Sequence, residues 1–458
     1  MENQVEKVSS AVDRKAASLT IYNDDIALIR EEREIKVEAG FNRVAMRDVA
    51  AKIIPETSCF TNKSDNVLRL LEQNFDFDLL TPGKLMDKYV GKTVTIISIN
   101  EIDGSEVRET AEVLANNKGV VLKYADRIET GLPKKARIAF GELPDNLRDH
   151  PTLLLDFLAD KSGLEHVGLS YLSMGFSWRA NYVANLAKDE KTFNLAGWVT
   201  LTNKSGAAFS EAQLQLVAGS IHRVHLDDAP ELLSGAYLCQ ESGSGMEEES
   251  LLDYHLYTLG RPTNLNNHQT KQVALLSAAN VPATKQYRIN NRHRQWDYTN
   301  DNSTPEDGTP LPVAVVLKFA NRDGDLGIPL PKGVVRVYGQ DSRQQTQFLG
   351  EDLIDHTPKN ATIALSLGNA FDITARRKFI NIKKLTKEIA AEAQISIELA
   401  NAKNDAVTVN IIEEFFGEWL ILQSSHDYRV ETARLAQWFV PIPAESSTTL
   451  TFKVQVKW

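Results

Sequence analysis

The sequence is poor in cysteine. Only Cys59 and Cys239 occur in 458 residues, so the fold does not depend on a framework of disulfides. The two residues belong to different segments, and such cysteines seldom reach the short separation that a disulfide requires. We therefore expect two separate thiols, and the sequence leaves a Cys59–Cys239 pair open as the alternative.

Long apolar runs are also missing. No stretch approaches the roughly 20 consecutive apolar residues of a membrane helix, so the sequence predicts no transmembrane segment. The first twenty residues are polar and lack the apolar centre of a signal peptide. Two interpretations remain: a cytoplasmic protein, or an exported protein whose signal precedes residue 1.

Positive charge is scarce relative to negative charge. The chain has 51 Lys and Arg residues against 61 Asp and Glu residues, which gives a formal net charge of -10. This balance repels nucleic acid and anionic lipid, and no dense run of basic residues offsets it. The composition therefore predicts no nucleic-acid partner.

The sequence also lacks local catalytic motifs. Gly91-Lys92-Thr93 looks like the end of a phosphate-binding loop, but Met86 stands where that loop needs its first glycine. His222 and His225 lie three apart, and on a strand this spacing directs the two side chains to opposite faces. We predict no catalytic residue, metal or cofactor, and keep both histidines only as candidate surface residues. A site assembled from distant loops would leave no local trace.

What the sequence has in abundance is period-two alternation. At the carboxyl end, Leu450, Phe452 and Val454 alternate with polar residues, which is typical of strands with one buried face. Turn residues at 203–206 and 401–405 separate such segments, and the second stretch predicts a hairpin between the strands at 395–399 and 407–411. The pattern predicts strands at 19–22, 27–33, 43–49, 193–201, 214–224, 313–319, 395–399, 407–411 and 450–458.

One segment departs from this pattern. Thr81 can cap a helix that begins at Pro82 and ends near Gly91, and short strands follow at 93–99, 111–114, 119–122 and 137–140. The fold class is therefore predicted as mainly β, with antiparallel β-sandwich modules and a small SH3-like barrel inserted near the amino terminus. The predicted map is an N-terminal β-strand segment (19–80), the barrel (81–141), a first sandwich region (142–226), an acidic flexible loop (227–270) and a C-terminal sandwich region (271–458).

The chain has six tryptophans, and the alternation pattern predicts which of them has an exposed ring. Trp198 alternates out of phase with Phe193, Leu195 and Leu201, so one buried face cannot hold all four residues. Trp198 is therefore the candidate for a surface or binding role. For the others, including Trp178, packing between sheets is the preferred interpretation.

Three segments carry a family resemblance. Residues 169–182 read Leu-Ser-Tyr-Leu-Ser-Met-Gly-Phe-Ser-Trp-Arg-Ala-Asn-Tyr. Residues 197–203 read Gly-Trp-Val-Thr-Leu-Thr-Asn, and residues 326–333 read Leu-Gly-Ile-Pro-Leu-Pro-Lys-Gly. From residue 19 onward the chain resembles a large, mainly bacterial family of unknown function, some of whose members are labelled mucoidy-inhibitor-like.

The resemblance implies a compartment but no chemistry. Members of the family typically begin with a secretion signal, which implies a periplasmic or extracellular protein. Many begin with a helical coiled-coil module, where this chain is similar to a version with a small barrel. No catalytic set carries over, and Gly175, Trp178 and Tyr182 are expected to be structural: a turn glycine and rings between sheets.

Three functions remain open on these grounds. The leading hypothesis is a non-enzymatic exported or cell-envelope interaction or scaffold protein, with an unknown protein or envelope component as its partner. The alternative is a carbohydrate-binding or carbohydrate-active protein with a site assembled from distant loops. The third is a scaffold that oligomerises through strand edges.

Overall fold

The computed structural model describes residues 6–76, 80–100, 104–117, 119–132, 135–144, 147–219, 246–251, 254–292, 308–322, 326–386 and 390–457. Strand accounts for 67% and helix for 3%, with several antiparallel sheets. The predicted mainly β fold is confirmed. Within these ranges, no helix has the length and apolar character needed to cross a membrane.

The secondary structure elements are as follows, in chain order. The helix is α1 (Pro82–Lys88), and short 3-10 turns occur at Ala11–Asp13 and Pro55–Thr57. The strands are β1 (Lys7–Ser9), β2 (Arg14–Ile21), β3 (Ile26–Val37), β4 (Gly40–Arg47), β5 (Cys59–Asn62), β6 (Leu68–Asp76), β7 (Thr93–Ile99), β8 (Glu106–Ala115), β9 (Val121–Lys123), β10 (Ile128–Thr130), β11 (Arg137–Ala139), β12 (Thr152–Ala159), β13 (Gly163–Met174), β14 (Phe176–Leu186), β15 (Thr192–Asn203), β16 (Phe209–Ala218), β17 (Met246–Leu251), β18 (Tyr254–Leu259), β19 (Thr263–Leu265), β20 (Gln269–Asn291), β21 (Thr309–Leu311), β22 (Ala314–Ala320), β23 (Gly333–Gln340), β24 (Thr346–Ile354), β25 (Thr362–Asn369), β26 (Ile373–Thr386), β27 (Ala390–Asn401), β28 (Val407–Glu414), β29 (Glu418–Ser424), β30 (Tyr428–Thr432), β31 (Leu435–Ile442) and β32 (Ser446–Lys457).

The chain divides into two compact units, each built from two separate stretches. Unit 1 comprises Met1–Trp178 and Leu201–Lys271, and unit 2 comprises Arg179–Thr200 and Gln272–Trp458. The five-segment map drawn from composition stays a prediction.

The described residues of unit 1 form three sheets. One has the order β1-β4-β12-β6, and a larger one has the order β17-β18-β16-β2-β3-β13-β5, with β19 on β16. The third, β10-β9-β8-β7-β11, follows α1. Alternation explains the larger sheet, because Leu19 and Ile21 of β2 are buried, as is Ile29 of β3.

The predicted helix and short strands of the small module are confirmed. The Thr81 hydroxyl accepts a hydrogen bond from the Lys84 amide at 3.2 Å, as an N-cap does. The helix and sheet enclose a small core that includes Tyr89, Val94 and Leu122. The strand order runs from β10 to β11 as an open path, so closure into an SH3-like barrel is not confirmed.

The acidic segment requires a correction. The predicted flexible loop included 246–270, yet β17, β18 and β19 form there, with β17 pairing β18 and β18 pairing β16. Leu256 and Tyr257 are buried and point to opposite faces, so β18 is packed on both sides at this point, which the acidic composition around it concealed. The prediction of a loop is wrong for these strands, and its earlier part, 227–245, lies outside the described residues.

A buried ionic cluster joins three strands of unit 1. One carboxylate oxygen of Glu31 accepts hydrogen bonds from Arg33 (Nη2, 2.6 Å; Nε, 3.0 Å) and from Arg14 (Nε, 2.9 Å). The other accepts one from the Tyr171 hydroxyl at 2.9 Å, and that hydroxyl accepts one from the Ala50 amide. Because every group has a partner, these charges can lie in the core.

Two sheets are formed by the described part of unit 2. A ten-stranded sheet has the order β24-β23-β14-β15-β20-β28-β31-β30, with β22 bridging β20 and β25. A five-stranded sheet has the order β21-β26-β27-β32-β29. The strands of both sheets contribute to one core, in which Trp438 stacks on Phe452 with ring centroids 4.8 Å apart. The result is a β-sandwich, as the carboxyl-terminal alternation predicted.

Two buried asparagines hold the predicted turns. Asn203 donates to the Ala207 carbonyl at 2.9 Å, and Asn401 donates to the Asp405 carbonyl at the same distance. Each side-chain oxygen accepts from the backbone amide two residues later, at 3.0 Å. These are local amide bridges that favour tight turns, and the chain turns at both predicted places. The prediction of a hairpin at 401–405 is wrong, because β27 pairs with β26 and β32 whereas β28 pairs with β20 and β31, in the other sheet.

Candidate ligand-binding face

The outer face of the ten-stranded sheet in unit 2 is set by the alternation of β15. Phe193, Leu195 and Val199 point into the core and are almost fully buried. Trp198, on the opposite face, keeps 40% of its surface exposed. An indole left this open on a strand face is a large apolar surface available for contact.

A row of polar side chains crosses this face near one end of β15. Asn185 of β14 and Tyr338 of β23 are register partners in a parallel pair, so their side chains share one face. Asn194 of β15 and Asn280 of β20 continue the row, because the backbone N–H of Asn280 donates to the Asn194 side-chain oxygen at 2.9 Å and both residues line the same cleft. Three amide side chains and one phenol ring therefore lie side by side.

The row lines a cleft. Its volume of about 420 Å³ falls within the range of small-molecule sites. The Ala187 amide donates to the Thr192 carbonyl at 2.9 Å, which closes the hairpin between β14 and β15 at the cleft's rim. The lining consists of Asn185, Leu186, Ala187, Lys188, Thr192, Phe193, Asn194, Asn280, Tyr338, Gly339, Gln340 and Thr346.

A second polar row lies farther along β15. The Thr200 hydroxyl accepts from the Asn181 amide at 3.1 Å and from the Gln272 amide at 3.2 Å. Residues 194, 198 and 200 share one face because they are separated by even numbers of positions. Trp198 therefore lies between the two polar rows.

An additional ring borders the cleft. Phe348 of β24 is the register partner of Tyr338 and is largely exposed. The two rings meet edge to face, with centroids 5.6 Å apart. Nearby, Arg336 pairs with Glu351 at 3.0 Å, which compensates one charge at this border.

The chemistry of this lining is that of hydrogen bonding. Asparagine and glutamine each offer donors and acceptors, and threonine and tyrosine hydroxyls do both. Among the described lining residues the cleft has one cation, Lys188, and no Asp, Glu, His or Cys. The lining residues themselves thus offer no pair of carboxylates of the kind that glycoside hydrolysis uses.

The motif residues singled out from the sequence lie in the interior. Gly175 has a φ of 92°, in the left-handed region. Trp178 is 5% exposed and donates to the Val217 carbonyl at 3.3 Å. Tyr182 is fully buried and its hydroxyl donates to the Pro331 carbonyl at 2.7 Å. Each has a defined packing or backbone partner in the fold.

His222, His225 and Cys239 lie outside the described residues. Cys59 is a free, exposed thiol on β5. In the described part of the chain, no group of three or more His, Cys, Asp or Glu side chains is arranged to hold a metal ion.

Sequence reasoning identified Trp198 on this face and missed Asn185, Asn194, Asn280 and Tyr338. The available signal was that Asn185 and Asn194 occupy solvent-facing positions in the alternation of two consecutive strands. Alternation predicts that such residues are exposed, but it does not predict which strands become neighbours. That pairing required the tertiary structure.

The fold and this face define an all-β protein with a polar, ring-bearing surface on one sheet. Neither a scan against protein-family models nor a search of curated proteins finds a match for this chain. The family resemblance read from residues 169–182 therefore stays an expectation.

Proposed function

We propose that this chain is a non-catalytic recognition protein that binds a neutral glycan on the outer sheet face of unit 2. The observation that carries the proposal is the row of Asn185, Asn194 and Asn280 beside Tyr338. Sugars present many hydroxyl groups on a ring with apolar faces, and amide side chains beside an aromatic ring match both features. The chemistry of the cleft therefore favours a neutral glycan as the ligand.

The absence of carboxylates from the lining supports binding in preference to hydrolysis at this cleft. A glycosidase needs two carboxyl groups about 5–9.5 Å apart around the scissile bond. The lining supplies amide side chains and no carboxylate. A bound glycan would therefore be held without being cut there.

The proposal includes export. The family resemblance implies a periplasmic or extracellular location, where glycans of the cell envelope are the accessible polymers. Fractionation of the source cells with detection of the native protein tests this part. Recovery with the cytoplasmic fraction would contradict it.

The binding test uses isothermal titration calorimetry with malto-, cello- and chito-oligosaccharides, from monosaccharide to hexasaccharide. We expect at least one series to bind. Asn185→Ala combined with Asn194→Ala should weaken binding about tenfold or more, because each lost neutral hydrogen bond contributes about 0.5–1.5 kcal/mol. Failure of every series to bind would overturn the proposal for these glycans.

A matched control is Asn381→Ala. Asn381 is an exposed asparagine on β26, in the other sheet of unit 2. Its replacement should leave the affinity unchanged. If it weakens binding as much as the Asn185 and Asn194 changes do, the binding site is not the cleft. Oligomerisation through strand edges stays a separate prediction, which light scattering on the same samples tests.

A further inference from the structure

Resting on the proposed function, we infer that the face binds an extended glycan chain lying along β15, with Trp198 as a second ring platform distant from the cleft. The juxtaposition that carries this inference is the position of Trp198 between two polar rows. A site for one sugar would need only the row at the cleft.

The dimensions favour several sugar rings. Asn194 and Trp198 are four residues apart on one strand, and at about 3.3 Å per residue they are separated by ~13 Å. Thr200 lies another ~7 Å beyond Trp198. A single ring in the cleft cannot span this distance, whereas a linear chain of rings along the strand can contact both rows.

On β15 and β20, the outward residues between the two polar rows have small side chains, apart from Trp198 itself. Ala196 is the outward residue of β15 between Asn194 and Trp198. On the neighbouring strand β20, the exposed residues between Gln272 and Asn280 are Ala274, Ser277 and Ala279. Small side chains leave room for a ligand to lie flat on the sheet from the cleft to the indole.

The polar groups at the far end are already oriented. Asn181 and Gln272 both donate to the Thr200 hydroxyl, so that the three side chains hold one another in place. Each amide keeps its carbonyl oxygen and a second N–H for a ligand. This arrangement provides hydrogen-bonding groups beside the ring platform, as at the cleft.

The experiment measures how affinity depends on chain length in whichever oligosaccharide series binds. For the wild type, affinity should rise from monosaccharide to hexasaccharide. Trp198→Ala should weaken hexasaccharide binding about tenfold and change monosaccharide binding less than twofold, because only the long ligand reaches the indole. Trp198→Tyr should retain most of the gain with length.

Two controls separate the possible outcomes. Phe439→Ala removes another aromatic ring on the same sheet, exposed to a similar extent at 44%, and should not alter binding. Urea unfolding should show that Trp198→Ala remains fully folded under the binding conditions and loses less stability than Trp178→Ala, since 40% of the Trp198 surface is exposed. Equal affinity for all lengths, or an unchanged hexasaccharide affinity in Trp198→Ala, would overturn the extended site while leaving the proposed glycan recognition intact. Absence of binding at every length would instead overturn the proposed function.

Discussion

Replacing Glu31 by glutamine tests whether the buried ionic cluster stabilises unit 1. Glutamine preserves the shape of the side chain, but it removes the negative charge and turns one acceptor into a donor. The guanidinium groups of Arg33 and Arg14 would then share one neutral oxygen in a site where all three residues are nearly inaccessible to water.

The expected cost follows from this burial. Removing one partner of a buried ion pair typically costs about 3–5 kcal/mol, because the remaining charge is left uncompensated. Tyr171 adds to the cost, since its hydroxyl donates to the Glu31 carboxylate at 2.9 Å. We expect Glu31→Gln to lower the free energy of unfolding by about 3–5 kcal/mol, as measured by urea denaturation with an unchanged m-value.

Glu34→Gln is the matched control on the same strand. Glu34 pairs with Lys15 at 2.6 Å near the surface, where solvent screens the pair. Its replacement should leave the denaturation midpoint nearly unchanged. If the two variants behave alike, the buried cluster does not contribute the stability assigned to it.

The same cluster predicts a pH dependence. Burial opposes ionisation of Glu31, but the charges of Arg33 and Arg14 outweigh it and hold the pKa of Glu31 below its ordinary value of 4.5. Because the folded-state pKa of Glu31 lies below its unfolded value, the stabilisation that ionised Glu31 provides is complete above about pH 4.5. This stabilisation is lost as the pH falls through the folded-state pKa. Wild-type stability should therefore fall more steeply than that of Glu31→Gln below about pH 4.5. If the free energies of unfolding of the two proteins fall in parallel with pH, Glu31 does not stabilise the fold through its charge.

Two further changes test the packing of the motif residues. Trp178→Ala should destabilise by about 3–5 kcal/mol because it empties a buried site, whereas Trp198→Ala should cost clearly less because 40% of that residue is exposed. Melting curves decide this, and an unaltered midpoint for Trp178→Ala would show that its ring is not part of the core. Gly175→Ala should cost more than the roughly 1–2 kcal/mol of left-handed backbone strain, because a Cβ there would lie 2.7 Å from the Lys204 carbonyl oxygen. Gly40→Ala, at a φ of 95° with open space around the Cβ, isolates the strain alone, and equal costs for both glycines in urea denaturation would argue against the close contact.

Local patterns accounted for many of the elements. The carboxyl-terminal alternation became β32, with Leu450, Phe452 and Val454 buried. The capping signal at Thr81 and Pro82 became α1. These predictions succeeded because each depends on residues within one or two turns or strand repeats of one another.

The amino-acid composition gave a wrong prediction where strands lie in a polar, acidic stretch of the sequence. The acidic context of 246–270 predicted a loop, yet pairing to the edge of β16 organises β18 there. Long-range hydrogen bonding to an existing strand can overcome a weak local preference. The 23-residue strand β20 was not predicted at all, because its polar and small residues show alternation only in part.

By itself, the sequence determined which alternate positions of each strand are apolar. This was enough to predict that Trp198 lies on a solvent-facing surface. Period-two alternation is a property of neighbouring residues, so it can be read before the chain folds. Only the tertiary structure decided that β23, β14, β15 and β20 are neighbours, and thus that Tyr338 lies beside Asn185. Sheet order and register depend on contacts between distant segments, and a shift by a single residue would turn the amide row away from the cleft.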